Sequence, residues 1–304
     1  MPTVQVQKIA QLTGHNAAIF ALAQGADPQH FLSAAGDGWV VSWDLAQPEL
    51  GKLIAKVDTQ VFSLLPLVAH NKLVVGNMNG GVHWVDLANP DATKNILHHQ
   101  KGVFAIILVN EDVITLGGEG KITRWSVGER RSLESLHLSN QSLRSADFSQ
   151  IRNEIAVGAS DNHIYLLDAS KLEVNKIITN AHNNSVFSVK YSPDGRYLLS
   201  GGRDAHLNIW DTHQDFHLVS SQPAHWFTIN DIVFSPDTQY FATASRDKTI
   251  KIWDANTFEL LKVLDTIRDG GHINSVNRLL WAAYNNYLMS CSDDRSIIIW
   301  KVEA

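Results

Sequence analysis

One pattern recurs along this chain at a nearly fixed period, and it limits the possible folds more than any other feature. Four segments close in almost the same words, each opening on an aspartate and reaching a tryptophan six residues later: Asp37 to Trp43, Asp204 to Trp210, Asp247 to Trp253 and Asp294 to Trp300. In each, a histidine stands 22 residues before the aspartate and 28 before the tryptophan: His15, His182, His225 and His272. Three weaker copies fill the interval and close at Val85, Trp125 and Leu167. The seven closing positions lie 40 to 47 residues apart.

Within a copy, the local signals are those of short strands. In the fifth, Val186 to Tyr191 reads as a strand, Ser192-Pro193-Asp194-Gly195 as a turn, and Arg196 to Ser200 as the next strand. A tight turn at Gly201 to Asp204 leads to a third strand, and Phe216 to Ser221 supplies a fourth; Ser235-Pro236-Asp237 repeats the turn in the sixth copy. A helical period of 3.6 is sustained nowhere. Period and strand content together predict an all-β, seven-bladed β-propeller, one four-stranded blade per copy.

The combined His, Asp and Trp-Asp spacing resembles that of the WD40-repeat family, and the resemblance covers essentially residues 1–304 as one domain. It implies a toroid in which each blade's first strand lines a central channel. The last copy stops at Trp300 to Ala304, so its fourth strand has to come from elsewhere, and Val4 to Ile9 is the unassigned strand-like segment. Closing the ring this way removes two exposed sheet edges.

His182, Ser200 and Asp204 look like a catalytic triad, but the set recurs four times where a catalytic site is needed once. The family resemblance implies a buried hydrogen-bond chain in each copy: His15, Ser33, Asp37, Trp43; His182, Ser200, Asp204, Trp210; His225, Thr243, Asp247, Trp253; and His272, Ser290, Asp294, Trp300. A buried aspartate needs donors, and these partners supply them. The second copy has Val57 at the histidine position, and the fourth has Ser139 there and Leu167 for the tryptophan. The third keeps Thr115, Glu119 and Trp125, with His98 and His99 displaced, so all three are expected to lean more on packing. His98-His99 is too short a pattern for a metal site, no phosphate-cradling glycine motif is present, and no cofactor is expected.

Five residues after the histidine, the aligned positions read Phe20, Phe62, Phe104, Arg144, Phe187, Asn230 and Asn277. The resemblance puts this register at one mouth of the channel. Four phenylalanines there predict an aromatic ring able to take a partner's cation, with Arg144 either repelling it or already filling the gap. Arg203 and Arg246 just before the turn aspartates, with Asp293 in the seventh copy, and the loop pair Trp226 and Phe227 fall on the same face and add candidate anchors.

The formal charge of −6 leans against nucleic acid, whose phosphates call for a basic surface. The lone Cys291 rules out an internal disulfide and fits a reducing compartment. No apolar run is long enough for a membrane, and Met1 to Lys8 lacks the features of a signal peptide, so a cytoplasmic protein is expected. The reading that follows is a non-catalytic scaffold for protein or peptide partners. The rivals are a lactonase-like metal-dependent propeller hydrolase and a fixed structural subunit of a larger complex.

Overall fold

Alternating β-branched and aromatic residues, interrupted every few positions by Gly-, Asp- or Asn-bearing turns, give 28 short strands among the described residues. A computed structural model describes residues 4–303, so Met1 to Thr3 and Ala304 of the terminal readings lie outside it. The strands form seven four-stranded antiparallel sheets. The chain divides into two units, one made of residues up to Val61 and from Asn230 onward, the other of Phe62–Ile229.

The first unit holds the sheets that start at Ile19–Gln24, Ile229–Phe234 and Val276–Ala282. In the last of these, Ile297–Glu303 would leave a row of unpaired backbone groups, and Gln5–Leu12 covers it from Gln5 against Glu303 to Leu12 against Ile297. The predicted closing strand therefore exists and runs three residues further than Ile9. Leu12 explains the extension, since it is buried in one cluster with Ile19, Trp43 and Ile297. A second cluster gathers Val4, Tyr240, Trp281 and Trp300.

The second unit holds four sheets, with first strands Val61–Leu67, Val103–Val109, Leu143–Ser149 and Val186–Tyr191. Within this unit adjacent sheets pack their inner residues against each other, as in the cluster of Val74, Val82, Trp84, Val113 and Trp125. The strand Leu143–Ser149 lies between Val103–Val109 and Val186–Tyr191, which brings the start of one first strand beside the start of the next.

Candidate partner-binding site

The repeated polar residues form bonded chains at the base of each turn. Trp43 Nε1 donates to Ser33 Oγ at 2.8 Å, and the Ser33 hydroxyl sits 2.8 Å from His15 Nε2, to which it donates. His15 Nδ1 in turn lies 3.1 Å from Asp37, and the carboxylate also accepts the Asn16 and Trp39 backbone N–H groups. The same order recurs from Trp210 through Ser200 (3.0 Å) and His182 (2.8 Å) to Asp204 (3.0 Å). It recurs again from Trp300 through Ser290 (3.0 Å) and His272 (2.9 Å) to Asp294 (2.9 Å). In the sixth copy Trp253 donates to Thr243 at 2.9 Å, Asp247 accepts the Thr249 N–H, and His225 is buried.

The third copy departs from the expectation of a weakened network. His99 Nδ1 lies 2.7 Å from Glu119, its Nε2 lies 2.8 Å from Thr115, and Trp125 donates to Thr115 at 2.9 Å. The histidine-to-acid loop is two residues shorter here, and the longer glutamate side chain spans the difference. His98 packs edge-on against Trp125 and bonds Thr123. In the fourth copy Ser139 and Tyr165 both donate to Asp161. The second copy has no such chain among the described residues, because Val57 and Val85 stand at its histidine and tryptophan positions; the neighbouring Trp84 Nε1 is buried without an acceptor there.

Burial pushes the His15 and His99 imidazoles below their usual pKa, and takes His98 down to about 4, where repulsion from His99 once it is protonated and from Lys121 adds to the effect. These rings are neutral in the fold but bind protons near pH 6.5 once unfolded. Unfolding therefore takes up protons between about pH 6.5 and 4, and stability falls with pH through that window. Asp204 adds to the loss at lower pH. Burial alone would raise its carboxyl, but the His182 bond and the backbone N–H groups of Asn183 and His206 outweigh burial and hold it low. The urea midpoint is predicted to be flat from pH 8 to 7 and clearly lower at pH 5; a flat profile down to pH 5 contradicts this.

The aligned register beyond the histidine is the second residue of each first strand. In five sheets the ladder shifts register at that residue, at Phe20, Phe104, Arg144, Phe187 and Asn277. Such a bulge re-aims a side chain out of the pleat. Phe62 and Phe104 stack with centroids 5.4 Å apart. The gap expected to receive a partner's cation is filled from within the chain: the Arg144 guanidinium lies 4.7 Å from the Phe104 ring and 5.0 Å from that of Phe187. Phe20 stands in the other unit, half-buried near Gly36. Asn230 and Asn277 are committed to the neighbouring sheet, donating to the Val276 and Ile19 carbonyls at 2.8 and 2.9 Å. Asn277 also donates to Asp293.

Arg203 and Arg246 are exposed. So is the loop before Ile229–Phe234, where Trp226 is 86% and Phe227 58% accessible. Among the described residues no group of three or more His, Cys, Asp or Glu is placed to hold a metal, and no helix is long and apolar enough to cross a membrane.

The family model described as WD domain, G-beta repeat matches residues 6–44, 174–211, 216–254 and 260–301, more than half of the chain. Cilia- and flagella-associated protein 43 of Xenopus laevis is 28% identical over 58% of the chain and 10% of its own length. Protein groucho of Drosophila melanogaster is 25% identical over 69% of the chain and 23% of its own length. The chain thus spans a quarter or less of these relatives. The crystal structure of the WD40 β-propeller domain of Doa1 superposes with a TM-score of 0.85 at 19% identity, covering 98% of this chain and 97% of that one.

Proposed function

This chain belongs to the WD40-repeat family and has its seven-bladed β-propeller fold, and from that premise we propose that residues 1–304 act as a single non-enzymatic platform that holds protein or peptide partners. The observation that carries the reading is the exposed pair Trp226 and Phe227, in the loop that follows the sheet bearing Phe187. Large aromatics set in water beside a rigid scaffold are favoured binding anchors, and loops can vary without disturbing the sheets beneath them. Histidines that could serve chemistry are instead used in structure: His15, His99, His182 and His272 are buried with both ring nitrogens bonded.

The test is an affinity capture from the native host with the wild type and with a Trp226→Ala, Phe227→Ala variant. The urea midpoint of the variant against the wild type establishes that it folds before the captured proteins are compared. A partner retained by the wild type and lost by the variant is the expected result. An identical set of captured proteins from both removes this loop from the docking surface.

A further inference from the structure

The register expected to take a cation is built the other way round. Phe62, Phe104, Arg144 and Phe187 form one stack, with the guanidinium as its third layer. Arg144 Nε donates to Ser160 Oγ at 2.8 Å, which fixes the side chain at a second point. Its Nη1 and Nη2 groups, four N–H donors in a rigid plane, make no hydrogen bond to the described residues. No carboxylate among those residues pairs with it.

Arg203 acts on Arg144 by direct repulsion, and together with the larger effect of burial it lowers the Arg144 pKa. In three sheets the residue just before the turn acid lies beside the bulged residue of its own first strand. Asn277 meets Asp293 in this way, Arg144 meets Ser160, and Phe104 lies against Gly118, where a Cβ would come within 2.8 Å of the ring. In the fifth sheet the equivalent pair is Phe187 and Arg203, and Phe187 carries Arg144 on its face. Arg203 is exposed, and it too has no acidic partner among the described residues.

A chain of net charge −6 has acids to spare, yet Arg144 lies on the face of Phe187, Arg203 is anchored through its backbone N–H to the Ser185 carbonyl just before the same strand, and no carboxylate among the described residues neutralises either. Like charges held close cost free energy unless an anion joins them, and a stacked guanidinium with a free fork matches the two oxygens of an oxyanion. We propose that Arg144 and Arg203 form a binding site for an oxyanion, a carboxylate or phosphate group carried by a peptide partner. The phenylalanines serve this site by holding Arg144 rigid, which reduces the entropy lost on binding. The proposal deepens the platform reading and rests on it only for the peptide that bears the group; the anion site itself can be tested without a partner.

The measurement is side-chain NMR of 15N-labelled protein, following the Arg144 Nε–H signal, which is identified by its disappearance in Arg144→Lys. Inorganic phosphate and N-acetylglutamate are titrated separately at constant ionic strength. A saturable shift with at least one of them is expected. Arg203→Gln is expected to weaken that binding about tenfold, while Arg246→Gln, at the same register in the other unit, leaves it unchanged. A stronger response to N-acetylglutamate assigns the partner group as a carboxylate, and a stronger response to phosphate as a phosphorylated residue. No saturation with either probe, or equal binding in Arg203→Gln, overturns the site. That failure leaves the capture experiment on Trp226 and Phe227 untouched, so the two readings fail separately.

Discussion

Replacing His182 with alanine is expected to destabilise the protein by about 3 kcal/mol. The imidazole is wholly buried and touches the network at both ends, so its loss strands two groups at once. Asp204 keeps its backbone donors, Asn183 N–H and His206 N–H, but loses its buried side-chain partner and the attraction that helped hold its carboxylate ionised. Ser200, fully buried, still accepts from Trp210 but has no acceptor left for its own hydroxyl. A void the size of the ring adds to the loss. The check is the urea midpoint of the variant against the wild type, with Ser200→Ala and the double variant alongside. Residues acting as one chain give a double variant much less damaged than the sum of the singles. A single-variant loss below about 1 kcal/mol, or simple additivity, shows that the histidine is not part of a cooperative unit.

Much of this architecture was open to reading because the network demands the same residue types at the same spacing wherever it is built. A hydroxyl four residues before an aspartate, and a tryptophan six after it, satisfy one geometry, and that geometry repeats with the sheet. The reading failed where a length change was offset by chemistry. His99 stands 20 residues before its acid and 16 before Thr115, against 22 and 18 for His182, and the extra methylene of Glu119 closes the gap. A search for fixed offsets misses this; a search that lets loop length trade against side-chain length finds it. Tyr165 was missed for a different reason. It donates to Asp161 from within a strand, where alternation marks it only as an inward-facing residue.

The candidate docking register shows where sequence stops. That Phe62, Phe104, Arg144 and Phe187 share one position follows from alignment, and Arg144 was seen either to repel a cation or to occupy the rings. Choosing between these depends on the path of a flexible side chain across its neighbours, which no spacing encodes. Asn230 and Asn277 make the same point. They align with the phenylalanines, yet their amides reach the backbone of the next sheet, an option open to a short polar side chain and closed to an aromatic ring.

The second large effect is expected at a turn. Gly120→Ala should cost at least about 3 kcal/mol, because backbone strain and a direct overlap coincide there. Gly120 has φ +90°, and a Cβ added to it would lie 1.6 Å from the Ser139 carbonyl oxygen. That atom belongs to a backbone fixed on both sides. Leu138 N–H donates to the Gly120 carbonyl, and the Ser139 side chain donates to Asp161. Making room for a methyl group therefore breaks a turn, a strand end and the polar contact of the fourth sheet together. The equivalent turn in the fifth sheet supplies the control. Ala205 already occupies that position at φ 64°, with Ala224 N–H donating to its carbonyl at 3.0 Å. Ala205→Gly relieves the left-handed strain but frees the unfolded chain, and the two effects offset to within about 1 kcal/mol. Urea midpoints of the two variants therefore should differ widely although the turns share a register. Equal, small changes in both would mean that the third turn can open away from Ser139 at little cost, and that the close approach at Gly120 does not hold the third and fourth sheets together.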